Sequence, residues 1–182
     1  CLDIVEQFEE YNQGIVGVAY NTRIMAIKAA QYSGVLTNTD IAEAILYAVE
    51  HGADVINMSF GGYGSSQVED DALATAYAQA VLISSAGNDS IPNQSECKGR
   101  PTYPASYPWV VGVMASQRFA SEGGFLTGFS NKDCIVDNNI EYEVMAPGAN
   151  IWSTLPNNSY GAWNGTSMAA PVVSGIAALA RT

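Results

Sequence analysis

The chain has 182 residues, 48% of them hydrophobic and 14% charged, a length and composition that suit one globular domain with its own core. Seven basic residues against 18 acidic ones give a formal charge of −11, which argues against nucleic acid or an anionic membrane as partner. No window holds an apolar run long enough to cross a membrane as a helix.

The sequence starts on Cys1, and no basic stretch precedes an apolar one. No signal peptide is expected, and the chain reads as a processed protein or a piece of a longer one. Its three cysteines, Cys1, Cys97 and Cys134, lack a metal-binding spacing. A Cys97–Cys134 bridge between two loops and three free thiols are both compatible with them.

Four apolar runs read as buried strands: Arg23–Ala30 (RIMAIKAA), Ala53–Phe60 (ADVINMSF), Ala80–Gly87 (AVLISSAG) and Trp109–Ser116 (WVVGVMAS). Between the first two, Thr39–Glu50 has helical spacing, with Ile41, Ala44, Ile45, Ala48 and Val49 on one face. Asn38, Thr39 or Asp40 can cap its start and Gly52 can end it. Val68–Ala80 repeats the pattern, with Leu73, Ala76, Tyr77 and Ala80 turned inward. Strands alternating with helices predict a mostly parallel sheet in an α/β, three-layer arrangement, with helices on both faces. After Ser116 come loops around SNKDCIVDNN, then short strands near Tyr142–Met145 and Ile151–Thr154, separated by the turn APGAN. From Thr166 onward, TSMAAPVVSGIAALA is helix-compatible, with Pro171 in its first turns, where a missing N–H is better tolerated.

Ligands of open α/β sheets bind at the carboxyl ends of the strands. The loops there carry YSG, SFGG and SSAGN, small residues that allow close approach to the main chain. Ser167 joins that edge if the last helix packs through the middle of the fold. A serine after Gly-Thr suits a helix cap as well as a nucleophile. The uncharged helix that follows would be buried, and its N-terminus would favour an oxyanion. GTSMA is not the nucleophile elbow G-x-S-x-G: it lacks the last glycine, and only 15 residues follow Ser167, none of them histidine.

ADVINMSFGG, SSAGN, YPASYPWVVGVMA, VMAPGANIWSTLP and YGAWNGTSMAAP occur in this order, and together they resemble the subtilisin-like serine peptidases over about Gly14 to Ala180. Val172 departs from the pattern, where that family usually has a histidine that is not catalytic. The resemblance implies a subtilisin-like fold lacking its N-terminal part, and a secreted serine endopeptidase acting on polypeptides. It makes Ser167 the nucleophile and Asn88 the side-chain donor to the oxyanion, beside the Ser167 N–H. Ser59, Phe60, Gly61 and Gly62 would line a specificity pocket opposite Ser85, Ala86 and Gly87, with room for a large apolar side chain. Gly34, Val35 and Leu36 would pair with an extended peptide, and Asn164 and Thr166 would also contact substrate.

The family's Asp and His motifs are absent. His51, the sole histidine, ends the Thr39–Glu50 helix, on the edge of the sheet opposite Ser167. Three explanations stand: a missing N-terminal segment of the same protein, a peptide-binding pseudopeptidase, or a carboxylate base among Asp3, Glu6, Glu9 and Glu10. The intact serine and oxyanion motifs favour the first, which leaves this chain inactive alone and exposes an apolar patch. No cofactor is expected; family members often bind calcium, but EEYNQG matches that loop loosely and no ligand is assigned.

Overall fold

Thr37 decides where the first helix begins. In the computed structural model, which describes residues 14–90, 101–121, 124–133 and 142–181, helix α1 spans Asn38–Glu50. The Thr37 hydroxyl accepts from the Asp40 N–H at 3.2 Å, and the Asp40 carboxylate accepts from the Thr37 N–H at 3.3 Å. This reciprocal pair satisfies two donors that a helix start leaves open. The cap therefore lies one residue upstream of the three expected candidates, because Asp40 is needed at the third helical position. Gly52, at φ +80°, follows the helix end as expected.

Strand β1 (Val55–Met58), helix α2 (Gln67–Tyr77), strand β2 (Val81–Ser85) and strand β3 (Val110–Ser121) follow. The next are β4 (Gly124–Leu126), β5 (Val144–Pro147), β6 (Ile151–Leu155), β7 (Ser159–Trp163) and α3 (Thr166–Ala180). β1, β2, β3 and β5 pair in parallel, with Met58 opposite Ser84, Ser85 opposite Val113, and Ser116 opposite Pro147. β4 turns back antiparallel on β3, while β6 and β7 form a separate two-stranded sheet.

Side chains alternate across a strand, and β2 shows the consequence. Leu82 packs with Ile41, Ile45, Leu73 and Ala76 from α1 and α2. Its neighbour Ile83 packs with Val113, Ala169 and Ala170, the last two from α3. Helices thus cover both faces, as the α/β alternation predicts. Leu82 and Ile83 are 1% and 0% exposed, and each buried aliphatic side chain contributes about 1.5–3 kcal/mol.

Several expectations need correction. Arg23–Ala30 forms no strand: Ile24, Met25, Ala26 and Ile27 lie exposed, Ile24 at 91%, because no neighbouring strand pairs with it among the described residues. Tyr77 is 58% exposed rather than inward, where its ring meets Trp109. β4 and β7 have too little periodicity to stand out in the sequence. Pro171 is the sixth residue of α3, inside the helix and past its first turn. Cys1, Cys97 and Cys134 fall outside the described residues, as do Asp3, Glu6, Glu9 and Glu10.

Candidate active site

Ser167 is the second residue of α3, and its hydroxyl donates to the Ser59 carbonyl at 3.2 Å, just past the end of β1. The proline in the helix accounts for the return contact. Pro171 has no N–H to offer the carbonyl four residues back, which is that of Ser167. The Ser59 hydroxyl donates to this carbonyl instead, at 2.9 Å. Ser59 and Ser167 are joined in both directions, and the helix start is pinned to the sheet edge.

Glycines bring the other segments in. The Gly165 N–H donates to the Gly148 carbonyl at 2.8 Å. A Cβ on Gly148 would lie 2.6 Å from that of Ala115 and 2.8 Å from the Gly165 oxygen. Gly148, directly after β5, is therefore packed against the serine loop, where no larger residue fits.

Asn88, three residues after β2, is oriented by the residue preceding Ser167. Its Oδ1 accepts from the Thr166 N–H at 2.8 Å and from the Thr166 hydroxyl at 3.0 Å. A main-chain N–H can only donate, so the amide oxygen is committed and the Nδ2 hydrogens are left for solvent. Ser59, Asn88, Trp163, Asn164, Ser167 and Met168 line an open cleft of about 700 Å³. A neutral donor thus stands beside a hydroxyl at the N-terminus of a helix, an arrangement that favours negative charge developing on a bound carbonyl.

The other expected substrate contacts divide. Ser59 and Asn164 line the cleft, and the Asn164 Oδ1 also accepts from the Asn150 N–H at 2.6 Å. Thr166 is fully buried and holds Asn88 rather than facing a ligand. Ser85 and Ala86 are also buried, and Ala86 packs with Ala105 and Tyr142 just past the end of β2. Phe60 packs against the core beneath α1 and α2, as does Leu36. Gly34, at φ +81°, and Val35 belong to a turn closed by hydrogen bonds from Gln31 to Val35 and from Gly34 to Gln31. Neither lines the cleft. Gly62 exchanges main-chain hydrogen bonds with Tyr103 at 2.9 and 2.8 Å.

Two residues that the sequence reading missed fill the space between the glycine segments. A Cβ on Gly61 would lie 2.9 Å from Thr102 Cγ2, and one on Gly87 would lie 3.3 Å from Thr102 Oγ1 and 2.5 Å from Asn131 Nδ2. Thr102 and Asn131 are 4% and 1% exposed. Both glycine segments are therefore backed by buried polar side chains. No periodicity marks either residue, since both act from loops. At the rim, Tyr63 donates its hydroxyl to Asp89, and this bond holds the phenol above its usual range.

His51 supplies no base. Its Nδ1 lies 2.8 Å from the Tyr47 carbonyl, and its ring stacks on Tyr47 with centroids 3.9 Å apart. It leads into the start of β1, whereas Ser167 meets the residue after that strand's end. Among the described residues, no group of three or more His, Cys, Asp or Glu could hold a metal ion. No described helix is long and apolar enough to cross a membrane.

Fold and cleft together define an α/β protein with an open cleft at the carboxyl ends of parallel strands. The chain belongs to the subtilase family, peptidase S8, whose family model matches residues 6–182. It is 39% identical to subtilisin DY of Bacillus licheniformis over 167 residues, covering 91% of this chain and 56% of that protein. Against thermitase of Thermoactinomyces vulgaris the identity is 33% over 180 residues, covering 98% of this chain and 58% of the other. Among solved structures, sphericase superposes with a TM-score of 0.70 at 28% identity, over 81% of this chain and 50% of that one. The chain spans between 37% and 58% of the length of these and other curated subtilisin relatives.

Proposed function

We propose that this chain is the serine-bearing part of a subtilisin-type endopeptidase. Ser167 Oγ attacks the scissile carbonyl carbon while its proton passes to a general base. The carbonyl oxygen becomes an oxyanion held by Asn88 Nδ2 and the Ser167 N–H. The tetrahedral adduct collapses, the C–N bond breaks, and the base returns the proton to the leaving amine, which leaves an acyl ester on Ser167. Water, activated by the same base, then hydrolyses that ester.

One observation carries the reading. The Thr166 N–H fixes the Asn88 oxygen, so the amide hydrogens and the Ser167 hydroxyl share one cleft. A module that only bound peptides would have no chemical need for a donor committed in that way. His51 is engaged elsewhere, and the coverage of 56% against subtilisin DY supports a histidine and an aspartate supplied from outside these 182 residues. The substrate is then a polypeptide, and secretion follows the family resemblance.

A fluorophosphonate probe tests this, because it labels only a serine activated by a base. The 182-residue chain should stay unlabelled. The same chain joined to the part of the protein preceding Cys1 should label at Ser167, and Ser167→Ala should abolish labelling. Strong labelling of the chain alone would point to a base within it, and no labelling of the longer protein would leave a peptide-binding module.

A further inference from the structure

Asn88 is held at two places, and the second has nothing to do with its side chain. Asn131, 1% exposed in the loop after β4, makes three hydrogen bonds to the main chain on either side of Asn88. Its Nδ2 donates to the Ala86 carbonyl at 2.9 Å, and its Oδ1 accepts from the Asp89 N–H at 3.0 Å. Its own N–H donates to the Gly87 carbonyl at 2.9 Å. The remaining Nδ2 hydrogen goes to Thr102 Oγ1 at 3.0 Å. The residue is itself anchored to β3, since the Ser130 hydroxyl donates to the Asn131 carbonyl at 2.8 Å and accepts from the Ala115 N–H at 3.0 Å.

We propose that Asn131 is a positioning residue for Asn88: it fixes the main chain of Ala86–Asp89 so that the Asn88 amide is aimed at the cleft. The inference rests on reading Asn88 as the oxyanion donor. The job requires an amide, because one end must donate to Ala86 while the other accepts from Asp89. Aspartate would present an oxygen to the Ala86 carbonyl, and alanine would leave buried main-chain groups unpaired. Gly87, at φ +100°, lets the amide approach, since a Cβ there would lie 2.5 Å from Nδ2. Thr166 sets the rotation of the Asn88 amide, and Asn131 sets where its Cα stands. A misplacement of about 1 Å at such a donor can cost roughly 100-fold in rate.

Hydrogen exchange on the 182-residue chain tests the clamp without any catalysis. Asn131→Ala should speed exchange of the Asp89 amide at least tenfold and leave the amides of Ile45 and Ile83 unchanged. Should Asn131→Ala fail to fold, the isosteric Asn131→Asp should speed the same amide by a smaller factor. An unaffected Asp89 amide, or equal acceleration at Ile45 and Ile83, would overturn the clamp. Kinetics in the longer protein test its purpose. Asn131→Ala should lower kcat between tenfold and a hundredfold with KM within threefold, the pattern of an interaction made only in the transition state. In an Asn88→Ala background it should lower kcat by less than twofold, because the group it positions is gone. An equal loss in both backgrounds would make Asn131 a general structural residue and overturn the proposal. An Asn88→Ala enzyme with undiminished kcat would sink the oxyanion reading itself, an outcome distinct from failure of the clamp.

Discussion

Two apolar stretches of similar composition meet opposite fates. Val81–Ser85 becomes β2, flanked by parallel neighbours on both sides, with Leu82–Ser85 all buried. Arg23–Ala30, also mostly apolar, has no strand partner among the described residues and leaves Ile24 91% exposed. The contrast does not lie in the letters. Strand propensity measures how well side chains fit a pleated surface that is already there, and main-chain groups need a neighbouring ladder. The stretch around it is fastened at few points: Val18 lies against Gly175, where a Cβ would come within 2.7 Å of it, and Leu36 reaches the core. The site end of the molecule is the reverse case, with loops that lack regular structure but have their polar groups claimed by Asn131, Thr166 and Ser59.

If that contrast is sound, the largest effect should come from a single methyl group in the tied region. Gly87→Ala forces a residue with a Cβ to φ +100° and drives that Cβ to 2.5 Å from Asn131 Nδ2. Backbone strain and overpacking together should cost about 3–5 kcal/mol. Urea unfolding measures it, and a loss below about 1 kcal/mol would mean that the loops are not held as the hydrogen bonds imply.

A smaller effect tests whether everything in the paired region favours folding. Glu69, in the first turn of α2, is 2% exposed, and its Oε1 has no hydrogen-bond partner. Burial pushes its carboxyl from 4.5 up to about 7. Between those values the folded chain keeps a proton that the unfolded chain has released. The group's contribution is therefore fully present below pH 4.5 and is lost as pH rises through 7. Glu69→Gln should raise stability by about 1–3 kcal/mol at pH 8 and change little at pH 4. Unfolding curves at the two pH values decide it, and an equal gain at both would exclude titration as the cause.

The same distinction explains what the sequence revealed. α1, α2 and the strands around Val55–Met58 and Val81–Ser85 were legible because their patterns are local, repeating every 3.6 or every two residues. Ser167 and Asn88 were legible through motifs in a recognisable order. Thr102 and Asn131 were not, because a buried loop residue that bonds main chain far away leaves no periodic trace. The role of Pro171 was misjudged for a related reason. Its missing N–H matters through the Ser167 carbonyl that it frees for Ser59, a contact between residues 108 positions apart. RIMAIKAA reads as a strand by pattern, but pairing is a property of two segments, and one segment cannot disclose it.

The smallest expected effect examines the other side of the contrast. Ile24→Ser removes a large apolar side chain from a stretch that was expected to be core. At 91% exposure that side chain has almost no burial to lose, so the change should move stability of the 182-residue chain by less than about 0.5 kcal/mol. A truncation of similar size at Leu82, 1% exposed, should cost about 2–5 kcal/mol. In the longer protein that the proposed function calls for, the two sites give different information. If the preceding part supplies a strand beside Arg23–Ala30, Ile24→Ser should become costly there while its effect in the short chain stays near zero. A cost above about 1 kcal/mol in the short chain would show instead that Ile24 already packs against something, and the distinction between the paired and unpaired stretches would fail.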